Sequence, residues 1–149
     1  LQQLRLVQFY PNKETKEKEA LEFYGKNLGL TFQIADDTLD YNSELKFFGK
    51  KIGKDFLEGK ITLPVILLFQ NVSSTEKDKL QNIFKQETRS NEDLNFILGL
   101  IKKHNIINEC YKKAEHFINL ASNSLTVFKD SDEKKILESL TSFSLQRTF

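Results

Sequence analysis

The chain has 149 residues, of which 39% are hydrophobic and 29% are charged. This balance is typical of one globular domain and unlike that of a disordered chain. The formal net charge is only +1, so bulk electrostatics favour neither nucleic acid nor an anionic membrane surface as a partner. The longest apolar run, residues 61–69, is too short to span a bilayer. A single cysteine, Cys110, excludes an internal disulfide and fits a reducing cytoplasm, with inert packing as its expected role.

Predicted helices account for most of the first half of the chain. Asn12 is a suitable N-cap for a helix in which apolar residues, spaced three or four apart, continue to about Tyr41. Residues 43–60 contain three glycines and five lysines with little periodicity, which predicts an ordered loop or a loop with a short helix. The sequence TLP at 62–64 then begins an apolar helix, because proline is accepted in a first turn.

The second half of the chain is also predicted to be helical. Ser73 and Glu76 have the spacing of a capping box, in which each residue bonds the backbone N–H of the other. The predicted helices cover Ser73 to about Gln86, Asn91 to about His104, Ile106 to Lys129, and Ser131 to about Gln146. Without a repeat or a convincing strand pattern, the predicted class is all-α, with about six helices.

Three carboxylates, those of Asp36, Asp37 and Asp40, lie near the end of the first predicted helix. On a helix, Asp36 and Asp40 share a face, and Asp37 lies about 100° around the axis from Asp36. Their neighbours are those of a buried face, so the carboxylates need a counter-charge, and Mg²⁺ completed by phosphate oxygens suits them. Carboxylates at the C-terminal end of a helix are disfavoured by the helix dipole, and a bound cation would offset this cost. The alternative interpretation is a solvated acidic face.

Lysines and glycines follow these carboxylates in the sequence. Lys50 and Lys60 flank Gly53, Asp55 and Gly59. The two lysine ammonium groups can thus approach the carboxylates. The glycines allow the backbone between them to come close to an anion. A single loop lysine is usually solvated, but this combination favours a site for a metal ion and a diphosphate.

The segment YGKNLGLTFQIADDTLDY, followed by GKKIGKDFLEGKITLP, resembles the second aspartate-rich region of the trans-polyprenyl diphosphate synthases. It is most similar to the long-chain bacterial, octaprenyl-like members. The resemblance is dense from Ala20 to Leu67 and continues to the C-terminus as a helical pattern only. It implies an isoprenoid-synthase-type helical bundle and a prenyltransferase, in which an allylic prenyl diphosphate is extended by isopentenyl diphosphate.

The resemblance also implies roles for particular residues. In that family the aspartates matching Asp36, Asp37 and Asp40 bind Mg²⁺. The residues matching Gln33, Lys50 and Lys60 contact the allylic diphosphate.

Other parts of the family pattern are not found in this sequence, including the first aspartate-rich motif and the residues for isopentenyl diphosphate. We therefore expect residues 12–149 to be the C-terminal half of a polyprenyl synthase domain, and 1–11 to be an atypical leader or out-of-frame segment. We also expect little or no synthase activity from the isolated chain, and either a homodimer or association with a complementary synthase half. The alternatives are a non-catalytic partner subunit, an inactive truncated remnant, or an unrelated helical bundle.

Overall fold

The structure, a computed structural model, describes residues 13–42 and 52–148, with side chains as far as Ser144. The described residues form helices and turns without a strand, which confirms the all-α class. The described residues contain seven α-helices, where about six were predicted, and α2 is the short helix that the prediction for residues 43–60 allowed. The helices are α1 Lys13–Leu39, α2 Lys54–Leu57, α3 Leu63–Asn71, α4 Ser74–Lys85, α5 Asn91–Lys103, α6 Ile106–Ser124 and α7 Asp132–Thr148, with a 3₁₀ turn at Leu125–Val127.

The longest helix, α1, packs along α6. Its buried residues recur every three or four positions, and three of them are polar: Asn27, Thr31 and Thr38. Each polar side chain donates to a carbonyl of the preceding turn, and the hydroxyl of Thr31 also lies 3.3 Å from the carbonyl oxygen of Ala114 on α6. These hydrogen bonds offset the cost of burying polar groups, so the two helices approach closely without an unsatisfied donor there.

The main core lies where α2 to α5 meet α1 and α6. The ring of Phe56, the one fully buried side chain of α2, meets that of Phe84 edge to face with centroids 5.6 Å apart. Burying a phenylalanine side chain contributes about 1.5–3 kcal/mol. A helix of four residues has little stability of its own, so this ring is one of the contacts that hold α2 on the body of the protein.

The helix boundaries confirm some of the capping predictions and correct others. Ser73 and Glu76 form the predicted capping box, and the Ser131 hydroxyl accepts a hydrogen bond from the N–H of Lys134. The prediction of Asn91 as an N-cap is wrong, because Ser90 forms a reciprocal capping box with Asp93. The stretch predicted as one helix from 106 to 129 ends its α-helical part at residue 124 and tightens into the 3₁₀ turn.

Cys110 lies buried on α6, as predicted. Burial raises the pKa of its thiol to about 11, which disfavours the reactive thiolate. Among the helices of the described residues, none combines the length and apolar character needed to cross a membrane.

Candidate metal and diphosphate site

An open groove of about 750 Å³ lies between α1, the turn from α2 to α3, α3 itself and α6. Gln33, Asp36 and Asp37 line it from α1, and their spacing of three and four residues places them on one flank of that helix. Lys60 lines it from the α2–α3 turn. The groove therefore brings together four of the residues predicted from the sequence.

The other lining residues give the groove an apolar wall and further charges. Leu30, Ile61 and Ile66 are large apolar side chains that line it while remaining exposed, and Phe117 of α6 lines it from a half-buried position. Charged and apolar side chains in one groove suit a ligand that has a charged head and a hydrocarbon tail.

The carboxylates of Asp36 and Asp37 are available as ligands. Neither makes a hydrogen bond or an ion pair with any residue that the structure describes. Burial raises the pKa of Asp37, and the nearby charges of Asp55, Asp36 and Asp40 raise it further, while Lys60 acts in the opposite direction. A cation bound here would relieve this repulsion between carboxylates.

Lys60 is the one lysine of the α2–α3 turn that lines the groove. Its Nζ lies 2.8 Å from an oxygen of Glu58 and 3.0 Å from an oxygen of Asp55. The hydrogen bonds to Glu58 and then Asp55 raise the pKa of the Lys60 ammonium, so it stays charged at any physiological pH.

Gly59 gives the α2–α3 turn its shape. Its φ of +78° is favourable for glycine, and a Cβ atom there would lie 2.8 Å from a guanidinium nitrogen of Arg89. That guanidinium donates to the carbonyl of Phe84, so it is held in place under the turn. The position of Lys60 thus depends on a residue without a side chain immediately before it.

Asp40 occupies a different position from the other two aspartates of the motif. Its Oδ1 accepts from the N–H of Lys54 at 3.2 Å, and its Oδ2 accepts from the N–H of Asp55 at 2.9 Å. It is not among the residues that line the groove. Lys50, the remaining predicted contact, lies outside the described residues.

Two charged lining residues, Asp55 and Lys113, were not predicted as site residues. Asp55 stands inside the motif region, so its spacing from Lys60 was a usable signal. Lys113 lies on α6, far along the chain, and only the packing of α6 against α1 brings it to the groove. No local pattern in the sequence indicates that contact.

Comparison with known proteins shows a family and a fold that this chain shares. Residues 2–101 match the family model described as Polyprenyl synthetase, a range that includes most of the segment 1–11. The all-trans-nonaprenyl-diphosphate synthase (geranyl-diphosphate specific) of Rhodobacter capsulatus is 31% identical over 130 residues, which are 87% of this chain and 39% of that protein.

Two crystal structures are similar in fold. A decaprenyl diphosphate synthase from Rhodobacter capsulatus has a TM-score of 0.81 and 29% identity, over 90% of this chain and 41% of that one. A polyprenyl synthase from Caulobacter crescentus CB15, complexed with calcium and isoprenyl diphosphate, has a TM-score of 0.75 and 33% identity, over 88% of this chain and 40% of that one.

The chain thus spans about two fifths of the length of these relatives. The family match extends over two thirds of the chain, and the fold agrees with that of solved members. The chain belongs to the polyprenyl synthetase family.

Proposed function

We propose that this chain acts in prenyl chain elongation, and that its groove binds Mg²⁺ together with the diphosphate of an allylic prenyl diphosphate. The observation that carries the proposal is that one groove brings together Asp36, Asp37 and the permanently charged Lys60. The two carboxylates have no partner among the residues that the structure describes. A calcium ion and isoprenyl diphosphate in the related Caulobacter crescentus structure support the same ligand class.

The residues present fit Mg²⁺ when phosphate oxygens complete its coordination. Within the described ranges, no three side chains of the His, Cys, Asp and Glu types are arranged to hold a metal ion by themselves. Mg²⁺ is commonly bound by one or two carboxylates plus waters and substrate phosphates. Asp36 and Asp37 supply that number of carboxylates, so the ion and the diphosphate would bind together.

Each part of the groove has a role in this proposal. Asp36 and Asp37 hold the cation, while Lys60 and Lys113 attract phosphate oxygens. Gln33 donates from its amide to the diphosphate, and the predicted contact from Lys50 is retained. When bound, Mg²⁺ supplies positive charge that stabilises the departing diphosphate.

The apolar wall has a separate role. Leu30, Ile61 and Ile66 lie against the prenyl chain of the substrate and exclude water from the carbon–oxygen bond that breaks. Isopentenyl diphosphate is the proposed second substrate. We also propose that the chain is located in the cytoplasm. It would act either as a homodimer or in association with a complementary synthase half.

Titration calorimetry with geranyl diphosphate tests the binding site. We expect wild-type chain to bind it in the presence of Mg²⁺ and not in EDTA, because repulsion between the diphosphate and the carboxylates is then uncompensated. The variant Asp36→Ala/Asp37→Ala should lose the Mg²⁺-dependent binding by at least about tenfold. Equal binding by wild type and variant would contradict the proposal.

The matched control is Asp78→Ala/Glu115→Ala. It removes the same charge from two exposed positions on α4 and α6 that lie outside the groove. We expect this variant to bind geranyl diphosphate like wild type, because the removed carboxylates do not line the groove. A loss equal to that of the Asp36→Ala/Asp37→Ala variant would mean that the binding is non-specific.

A turnover assay tests the predicted lack of activity in the isolated chain. Radiolabelled isopentenyl diphosphate, geranyl diphosphate and Mg²⁺ are incubated with purified chain, and the extracted products are counted. We expect no product above the background of a reaction without protein, because the sequence lacks the family's first aspartate-rich motif, which binds metal ions in the complete enzymes. Sustained turnover would show that the groove alone is sufficient.

A further inference from the structure

Three successive backbone N–H groups at the start of α2, those of Gly53, Lys54 and Asp55, are bonded to Asp40. The carbonyl oxygen of Asp40 accepts from Gly53 at 2.7 Å, and its two carboxylate oxygens accept from Lys54 and Asp55. N–H groups in the first turn of a helix have no partner within the helix. Gly53, the N-cap residue of α2, has no side chain with which to bond them. Asp40 therefore supplies the cap from the end of α1.

The three aspartates of the motif are thus divided between two environments. Both carboxylate oxygens of Asp40 are engaged by α2, outside the lining of the groove. The carboxylates of Asp36 and Asp37 line the groove and are unbonded within the described part of the chain. A metal ion in the groove can use the second pair without breaking a hydrogen bond to any described residue. Both oxygens of Asp40, in contrast, already accept N–H groups of α2, and Asp40 is not among the lining residues.

A short chain of contacts joins Asp40 to the groove. Asp55, whose N–H is held by Asp40, bonds Lys60 twice. Its Oδ1 lies 3.0 Å from the Lys60 Nζ, and its carbonyl oxygen accepts from the Lys60 N–H at 2.9 Å. Because α2 has only four residues, loss of its hydrogen bonds to Asp40 would free its N-terminal end. Asp55 would then move, and Lys60 with it.

We propose that Asp40 is a positioning residue, which acts through the amides of α2 to hold Asp55 and Lys60 at the groove, and is not a ligand of the metal ion. The binding part of this inference rests on the proposed function. The structural part concerns the metal-free chain and stands on the hydrogen bonds alone.

Amide hydrogen exchange in EDTA tests the structural part. In Asp40→Ala, we expect the amides of Lys54 and Asp55 to exchange at least about tenfold faster than in wild type, because each has lost a charged acceptor. Asp36→Ala is the matched control and should leave both amides unchanged. Unaltered protection in Asp40→Ala would overturn the proposal.

Asp40→Asn keeps the test decisive if Asp40→Ala does not fold. The amide has the same shape but offers one acceptor oxygen, and its NH₂ group faces the second N–H. We expect one of the two α2 amides to lose protection while the helical circular dichroism signal remains. Retained protection of both amides in this variant would also overturn the proposal.

A double-mutant cycle with Mg²⁺ and inorganic diphosphate tests the link to Lys60. We expect Asp40→Ala and Lys60→Ala each to weaken binding about tenfold, and the double variant to be no weaker than the weaker single variant. Asp36→Ala combined with Lys60→Ala should instead show multiplied losses. Multiplied losses for the Asp40 pair as well would indicate an independent ligand and overturn the proposal. If wild type binds no diphosphate, the proposed function fails, and hydrogen exchange still decides the role of Asp40.

Discussion

Asp37 is a residue whose charge is unfavourable in the absence of a metal ion. Burial and the neighbouring carboxylates of Asp55, Asp36 and Asp40 all raise its pKa. A raised pKa in the folded state means that the folded chain binds the proton more tightly than the unfolded chain does. Stability therefore falls as the pH rises from the unfolded pKa of an aspartate, about 4, through the raised pKa of Asp37.

This predicts that Asp37→Asn stabilises the metal-free chain at neutral pH. The advantage over wild type should shrink as the pH falls through the raised pKa, and vanish near the unfolded pKa, because wild-type Asp37 is then also uncharged. Urea unfolding in EDTA over a series of pH values measures the difference. Parallel stability curves for the two proteins at every pH would contradict the prediction.

The site residues differ in how far the sequence could predict them. Helical periodicity places Gln33 one turn before Asp36 and Asp37, and all three line the groove. The same periodicity put Asp36 on one face with Asp40, which is not among the lining residues. The environment of Asp40 depends on amides 14 and 15 residues further along the chain, and spacing within the helix carries no information about that contact. A lysine on α6 reaches the groove through packing alone, which no motif describes.

At the scale of elements, the α2–α3 turn has to fulfil several conditions at once. It directly follows α2, whose Phe56 is buried in the core, and it accommodates the Arg89 guanidinium beneath it while presenting Lys60 to the groove. Gly59 makes the three compatible, because it combines a positive φ with the absence of a Cβ atom. The sequence indicated a loop with a short helix here, while the arrangement of the turn depends on Arg89, 30 residues later.

We predict that Gly59→Ala destabilises the chain by about 1–2 kcal/mol, since an alanine is strained in this conformation. Its methyl group would also press against the guanidinium of Arg89. The matched control is Gly29→Ala on α1, where an added Cβ has no atom within 4 Å. That change should stabilise by about 0.5–1 kcal/mol, through helix propensity. Urea unfolding measures both, and equal signs would contradict the account.

Local and distant signals also explain the helix boundaries. Ser73 and Glu76 interact three residues apart, so the sequence alone predicted their capping box. At the next helix, Ser90 and Asn91 are both good N-caps. The choice of Ser90 follows from Asp93, which is correctly spaced to return a hydrogen bond to Ser90 and not to Asn91.

At the scale of the whole molecule, α7 carries apolar side chains on its outer face. Ile136 is 62% exposed and Leu140 is 44% exposed, four residues apart on the same flank. On α1, Leu21 and Phe32 are also nearly half exposed. Exposed apolar surfaces of this kind favour association, in agreement with the proposed homodimer or complementary half.

We predict that the chain self-associates with increasing concentration, and that Ile136→Ser/Leu140→Ser weakens this association. Because both side chains are largely exposed, unfolding free energy should change by less than about 0.5 kcal/mol per site. Size-exclusion chromatography with light scattering measures the mass at several concentrations. Asn119→Ser/Asn123→Ser, at exposed polar positions four apart on α6, is the control. A monomer at every concentration would contradict the prediction.

The single thiol of Cys110 can report how often the helices α1 and α6 separate transiently in solution. It lies on the buried face of α6, within reach of the Thr38 hydroxyl on α1, and is fully shielded from solvent. A thiol reagent can therefore modify it only when the two long helices separate. The labelling rate reports how often that happens, without any engineered dye, and a ligand that bridges α1 and α6 across the groove would slow it.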